Sequence, residues 1–262
     1  MKKFLKKIIR KLGYDIVRYS RQQGKTIRSS DLSFYSTATG NYYLPSDAHA
    51  DVIVNAIITN QIFDESIFNI AKEYIRPDTT VLDIGSNFGQ MAILMSKLVG
   101  VKGEVHAFDA DDFIFEVLNK NIKENATNII SHFGAVHDKG NETLYFPVQD
   151  FERFGTYGSY GIDYVHGKGR AVKTLTIDEL KIKKPISFIK IDVQGGDLFA
   201  MKGAVKTIEK HQMPILFEYE YQFEEELNLS FQEYVDFVSS IGYQFSKVIN
   251  GHNFLILPKE KV

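Results

Sequence analysis

From residue 61 onward the chain alternates between two hydrophobic periods. Short apolar runs fall at Thr80 to Ile84, Glu104 to Asp109, Ile129 to Phe133, Ser187 to Asp192, Pro214 to Tyr219, Tyr243 to Ile249 and His252 to Leu257, and they predict strands. Between most of them apolar residues recur every three or four positions. That period predicts helices over Phe88 to Val99, Asp112 to Glu124, Asp197 to His211 and Ser230 to Ile241. Ser230 and Glu233 have the S-x-x-E spacing in which each side chain satisfies a free backbone donor at the helix start. Strand and helix in alternation predict an α/β fold with a largely parallel sheet covered on both faces.

The end of the chain breaks the pattern. "SKVINGHNFLIL" sets Asn250-Gly251 between two β-rich runs, and both residues tolerate the positive φ of a tight hairpin, so the last two strands should pair antiparallel. Upstream, residues 29–60, with "SDLSFYSTATGNYYLP", predict a loop-rich lead-in to a helix at about 47–60. The organisation expected is a basic arm over 1–28, a lead-in with a helical extension over 29–60, and one catalytic-sized domain over 61–262.

Charge changes the picture at the N-terminus only. The whole chain carries a formal −2, yet residues 1–28 hold ten basic side chains against Asp15 alone. In "MKKFLKKIIRKLGY" the residues Phe4, Leu5, Ile8, Ile9 and Leu12 recur at helical spacing, with lysines and Arg10 opposite. Residues 1–13 therefore predict a basic amphipathic helix, fit either for an anionic membrane surface, at about 1 kcal/mol per basic side chain, or for packing on protein. Nucleic acid is not expected, because the remaining residues are acidic and offer no groove for a phosphate backbone. The 262 residues include no cysteine, which removes disulfides, thiolate metal sites and cysteine nucleophiles and fits a cytoplasmic setting. No apolar stretch reaches the roughly 20 residues of a membrane span.

Candidate chemistry centres on "VLDIGSNFGQ". A triphosphate loop needs Lys-Ser/Thr after its last glycine, and Gly89 is followed by Gln90-Met91. A dinucleotide fingerprint needs three glycines around the pyrophosphate, and this run offers Gly85 and Gly89. An acid at Asp83, on a strand end, would repel phosphate but suits the amino group of a cationic amino acid, directly or through water. S-adenosylmethionine is such a ligand. Gly85 would let the backbone pass close to it, and Gly89 would let the next helix pack against the strand. Asp109 ends the second strand, where a carboxylate can accept both ribose hydroxyls of this or another nucleoside. Ala135, just past the third strand, is counted with the same cofactor-binding set.

The runs "TTVLDIGSNFGQMAILMSK", "EVHAFDADDFIFEVLNKNIKEN", "TLTIDEL", "SFIKIDVQGGDLFAMKGA" and "PILFEYE" resemble the FkbM family of S-adenosylmethionine-dependent methyltransferases over residues 62–257. The resemblance implies a class I methyltransferase fold: a Rossmann-like, seven-stranded mixed sheet with a reversed last strand. It also implies O-methyl transfer, often onto a sugar hydroxyl of a glycan or natural product. By the match, Asp83, Gly85, Ser86, Asn87 and Gly89 fall on the cofactor loop, Asp109 on the ribose position and Asp192 on the active-site position of the fourth strand. Where members often read E-P the chain has Asp109-Ala110, and where many read D-x-E-G it has Asp192-Val193-Gln194-Gly195.

Methyl transfer from a sulfonium depends mostly on alignment, while the acceptor hydroxyl must lose a proton to a positioned base. Asp192 is the first candidate, at the carboxyl end of a central strand, with Lys190 placed to hold it ionised. Glu218 ends the next strand and could bind acceptor hydroxyls or act as base. His166 is a reserve base on residues 151–170, a glycine- and aromatic-rich stretch (Phe154, Tyr157, Tyr160, Tyr164) expected to form an acceptor lid. No metal site is expected, and Glu224, Glu225 and Glu226 read as a solvated run. Two other classes stay open: an NAD-dependent oxidoreductase, and a non-catalytic membrane-surface module with the same fold.

Overall fold

Thr80–Ile84 and Ile186–Ile191 are strands in which every position is buried. A strand covered on both faces reads as a continuous apolar run rather than an alternating one, and each of these carries a single charge, Asp83 and Lys190. The computed structural model describes residues 31–46, 48, 50–125, 128–147 and 156–260. The basic arm of residues 1–28 and Phe154 lie outside the described residues.

In chain order, β1 (Leu32–Ser36) and β2 (Asn41–Pro45) precede α1 (Val52–Ile58) and α2 (Glu65–Tyr74). Then come β3 (Thr80–Ile84), α3 (Gln90–Val99), β4 (Glu104–Asp109), α4 (Asp112–Asn125) and β5 (Ile129–Phe133). A small group follows: β6 (Ala135–Val136), β7 (Thr143–Phe146) and β8 (Arg170–Leu175). The second half has β9 (Ile186–Ile191), α5 (Asp197–Lys202), α6 (Val205–His211), β10 (Ile215–Glu218), α7 (Glu224–Leu227), α8 (Phe231–Ser240), β11 (Tyr243–Ile249) and β12 (Asn253–Pro258).

The main sheet has seven strands in the order β11-β12-β10-β9-β3-β4-β5. All neighbours run parallel except β12, which is antiparallel to both β10 and β11. The reversed strand therefore sits inside the sheet, between β10 and β11, rather than at its edge. From β3 the chain builds outward through β4 and β5, then returns to the other side of β3 with β9. That makes the β3/β9 junction the topological switch point, where open α/β sheets form a crevice at the carboxyl ends of their strands. Apolar clusters cover both faces: Phe108, Ile189, Met201 and Phe217 belong to one, Val81, Met95, Phe188 and Leu216 to the other.

The strands and most helices expected from residue 61 onward recur with ends that match or shift by one or two residues, the helix expected at about 47–60 is the shorter α1, and α8 carries the capping box of Ser230 and Glu233. Three departures have physical causes. The helix expected over Asp197–His211 is two helices, because the carboxylate of Asp178 accepts from Lys206 N (3.0 Å) and Thr207 N (2.8 Å) and restarts the helix as α6. The loop-rich lead-in contains the β1–β2 hairpin. Its outer edge is satisfied by amides of α4: Asn121 Oδ1 accepts from Tyr43 N (2.6 Å), and Asn125 pairs with both backbone groups of Asn41. Part of the long stretch before β9 is the side sheet β6-β8-β7, which takes in Arg170. Among the described residues no helix is long and apolar enough to cross a membrane.

Candidate active site

The carboxyl ends of β3, β4, β9 and β10 open on one cleft, a cavity of about 320 Å3, within the range of small-molecule sites. Gly85, Ser86, Asn87, Asp109, Ala135, Lys190, Asp192 and Glu218 all line it. Asp83 and Gly89 do not, and each has a different neighbour from the one expected.

Asp83 has no exposed surface, and it faces Lys190, its register partner on β9, with Nζ 3.7 Å from Oδ1. Direct contact with a ligand in the cleft is therefore closed to it; it sits beneath the cofactor loop as a counter-ion. Burial pushes its pKa up, and the ammonium opposes the rise. Gly85, at φ +84, has no room for a side chain: a Cβ would lie 1.8 Å from the Asp192 carbonyl oxygen. The glycine is needed because the ends of β3 and β9 touch there, with Asp192 N donating to Ile84 O at 2.9 Å. Gly89, at φ +88, opens α3, and a Cβ there would press on Leu118 of α4 rather than on a strand. Ser86 ties the loop down by donating to Asp83 O (2.7 Å) and accepting from Phe108 N (3.1 Å).

Asp109 accepts from Asn87 N (3.0 Å) and Asp111 N (2.9 Å). Burial pushes its pKa up to about 7, against the pull of those amides. Each carboxylate oxygen has capacity for further donors, which suits a vicinal diol. Around it the apolar side chains of Phe108, Ile114, Ala135 and Val136 line the cleft and suit the faces of a base. Arg170 braces this end by pairing with Asp111 (2.6 Å) and Asp112. A diol-accepting carboxylate, apolar slot sides and a loop free of phosphate cradles fit S-adenosylmethionine.

The other end of the cleft is acidic. Lys190 Nζ lies 3.2 Å from Asp192 Oδ2 and donates to Gly85 O at 3.3 Å, so one ammonium joins the cofactor loop to the active-site strand. Burial works against that charge, but Asp192 and then Asp83 outweigh it and hold the lysine pKa above its ordinary value. Burial would also raise Asp192; Lys190 reverses this and keeps it below the ordinary carboxylate value. Glu218 is the opposite case: burial, then the charges of Asp192, Glu220 and Asp197, push it up to about 10. At neutral pH Asp192 is ionised and Glu218 protonated. Gln194 Nε2 lies between them, 3.3 Å from Asp192 Oδ1 and 3.1 Å from Glu218 Oε2. An amide at this position donates to two carboxyl groups that a glutamate would crowd.

The acceptor loop departs from expectation in its aromatics. Tyr157 is buried against Phe88 and Phe113, and its amide donates to Asp51, the cap of α1. Tyr160 and Tyr164 line the cleft. His166 does not: its side chain is 68% exposed and pairs with Asp163 at 3.3 Å. It is not placed to serve as a base in the cleft. Glu224 accepts from the Tyr219 hydroxyl, so the expected solvated run has one structural member. No cluster of potential metal ligands occurs among the described residues.

Three cleft residues escaped the sequence reading. Asp64 precedes α2 at φ +53 without capping it, and its carboxylate lines the cleft, where burial raises its pKa. Glu220 follows β10, and burial and Asp192 push it up to about 7. His252 lies 3.4 Å from Glu218. Only His252 had a signal: Asn253 pairs with Glu218 in register, so a hairpin at Asn250-Gly251 returns residue 252 to the carboxyl edge.

The sheet order, with its reversed strand, and the switch-point cleft define a class I methyltransferase fold. The family model described as "Methyltransferase FkbM domain" matches residues 83–245, and the chain belongs to that family of S-adenosylmethionine-dependent methyltransferases. Among solved structures, methyltransferase FkbM from Methylobacillus flagellatus KT is similar at 16% identity and a TM-score of 0.46, over 72% of this chain and 49% of that one. The chain thus spans about half the length of that relative. A SAM-dependent methyltransferase from Aquifex aeolicus is similar at 15% identity and a TM-score of 0.39, over 74% and 88% of the two chains. Aeropyrum pernix fibrillarin, in complex with natively bound S-adenosyl-L-methionine, is similar at 11% identity and a TM-score of 0.41, over 90% and 85%. No curated protein matches the chain.

Proposed function

We propose that this methyltransferase acts on a hydroxyl oxygen of a sugar, in a glycan or glycan precursor, with Asp192 as general base. The observation that carries the reading is the pair at the acidic end of the cleft, Asp192 ionised by Lys190 and Glu218 protonated beside it. S-adenosylmethionine supplies an activated methyl group bound to a sulfonium. Asp109 would hold its ribose, and the loop of Gly85, Ser86 and Asn87 its amino-acid portion. Asp192 accepts the hydrogen bond of the acceptor hydroxyl and takes the proton that the oxygen loses. A carboxylate held low is a modest base, but it is always ionised, and proton removal by a placed base contributes typically 10²–10⁴-fold. Glu218, carrying its proton, donates to a second acceptor oxygen or to Asp192, so it is a binding group rather than the base. Tyr160 and Tyr164 line the cleft and would give it an aromatic wall for a sugar acceptor.

Residues 61–262 would act as the catalytic domain, with 29–60 closing one side of the cleft through Val52 and Ile53. Residues 1–13 would hold the enzyme at an anionic membrane surface, where lipid-linked glycan precursors gather. The test is mass spectrometry of glycans from wild-type and deletion strains. The reading expects a glycan fraction heavier by one methylene unit in the wild type alone, and identical glycan masses would overturn it.

A further inference from the structure

A second groove opens beside the catalytic cleft and shares Glu218, Glu220 and His252 with it. Its far side is formed by Tyr221, Gln222, Asn250 and Gly251. Tyr221 is 81% exposed, on a turn between β10 and α7, so a large aromatic face stands open at the groove. Glu220 Oε2, between groove and cleft, is shielded from solvent and has no hydrogen-bond partner among the described residues. Its other oxygen accepts from Gln222 Nε2 at 2.8 Å.

We infer that this groove is a subsite for a second sugar unit, so that the acceptor is an oligosaccharide rather than a single sugar. The inference rests on the sugar reading of the cleft and extends it. The open ring of Tyr221 matches the flat apolar face of a pyranose, and Gln222 and Asn250 on the same groove offer polar groups to its hydroxyls. Both are features of a site with an aromatic wall and a few placed polar groups. His252 stands at the divide, half-exposed and paired with Glu218, where the linkage between two sugar units would pass. Asn250, Gly251 and His252 lie beyond the stretch matched by the family model, which ends at residue 245. The groove is thus formed partly by the terminal hairpin.

The test uses the full chain with S-adenosylmethionine carrying a radiolabelled methyl group, applied to a glycan array of mono- to tetrasaccharides. Label should appear on oligosaccharides, with at least tenfold more transfer than to the matching terminal monosaccharide. Tyr221→Ala should abolish that preference for length while leaving transfer to the monosaccharide and calorimetric affinity for S-adenosylmethionine unchanged. Should Tyr221→Ala fail to fold, Gln222→Ala serves the same comparison. Equal labelling of mono- and oligosaccharides, or equal losses on both in the variants, overturns the subsite and leaves the sugar reading standing. Label on no glycan, or on peptides included on the array, overturns both.

Discussion

Asp83 and Lys190 are register partners on the two central strands, and their side chains form an ion pair 3.7 Å apart with 0% and 6% of their surfaces exposed. The same ammonium reaches Asp192 and the Gly85 carbonyl. Removing one member leaves a charge in the sheet interior without compensation, which costs about 3–5 kcal/mol, whereas removing both relieves much of that cost. Lys190→Met should therefore lower the unfolding free energy by about that amount, and Asp83→Leu in the same chain should recover part of it. Urea unfolding of the single and double variants measures the coupling. Additive losses would mean that the two charges do not interact.

The assignment of base and donor separates two carboxyls one hydrogen-bond network apart. Asp192→Asn should lower methyl transfer by about 10²–10⁴-fold. Glu218→Gln should retain it within a few-fold, because the amide keeps the donor that the protonated acid provides. Label transfer by each variant decides the matter, and a larger loss from Glu218→Gln would exchange the roles.

If Asp109 holds the ribose as proposed, it should link pH to cofactor affinity. With its pKa at about 7, the carboxylate accepts ribose hydroxyls above neutrality and gains a proton below it. Affinity for S-adenosylmethionine, measured by calorimetry, should fall as pH drops from about 8 to about 6. Asp109→Ala should weaken it at least tenfold at the higher pH, about 1.4 kcal/mol, and remove the pH dependence. A wild-type profile shared by the variant would place the titrating group elsewhere.

The apo protein should lose stability toward alkali. Asp109 and Glu220 titrate at about 7, Asp197 at about 8 and Glu218 at about 10 when folded, from ordinary values of 3.8 and 4.5. Through these four groups the folded state holds more protons than the unfolded chain between roughly pH 4 and pH 10, so their contribution to stability falls as pH rises through that window. Asp197 is fully buried and accepts from Glu218 N through one oxygen. Asp197→Asn imitates its protonated form, and the urea midpoint of this variant should vary less between about pH 6 and about pH 9 than that of the wild type.

The sheet was legible because its strands are long apolar runs between amphipathic helices, and Asn250-Gly251 announced the reversed strand. Asp83 and Asp109 stood out because they interrupt such runs at strand ends; Asp109 lines the cleft and Asp83 does not. Asp83's partner was not, since pairing with Lys190 depends on register between strands more than a hundred residues apart in sequence. The β1–β2 hairpin was hidden because its edge is satisfied by the Asn121 and Asn125 amides rather than by a strand. Asp64 was hidden because it stands before a helix that the periodicity did not mark, where at φ +53 it lines the cleft without capping that helix.

Residues 1–13 carry the proposed membrane contact through their basic and apolar side chains. Their deletion should release the protein from vesicles of phosphatidylglycerol and phosphatidylcholine while leaving S-adenosylmethionine affinity intact. Unchanged partition in a flotation assay would reject the contact.

The most direct test of the account follows a carbon-13-labelled methyl group from S-adenosylmethionine into product. The account predicts a methyl ether on a sugar oxygen, seen from the methyl carbon shift and its coupling to the ring, and its loss with Asp192→Asn. A methyl group bonded to nitrogen or carbon, or an ether formed equally well by the variant, would contradict it.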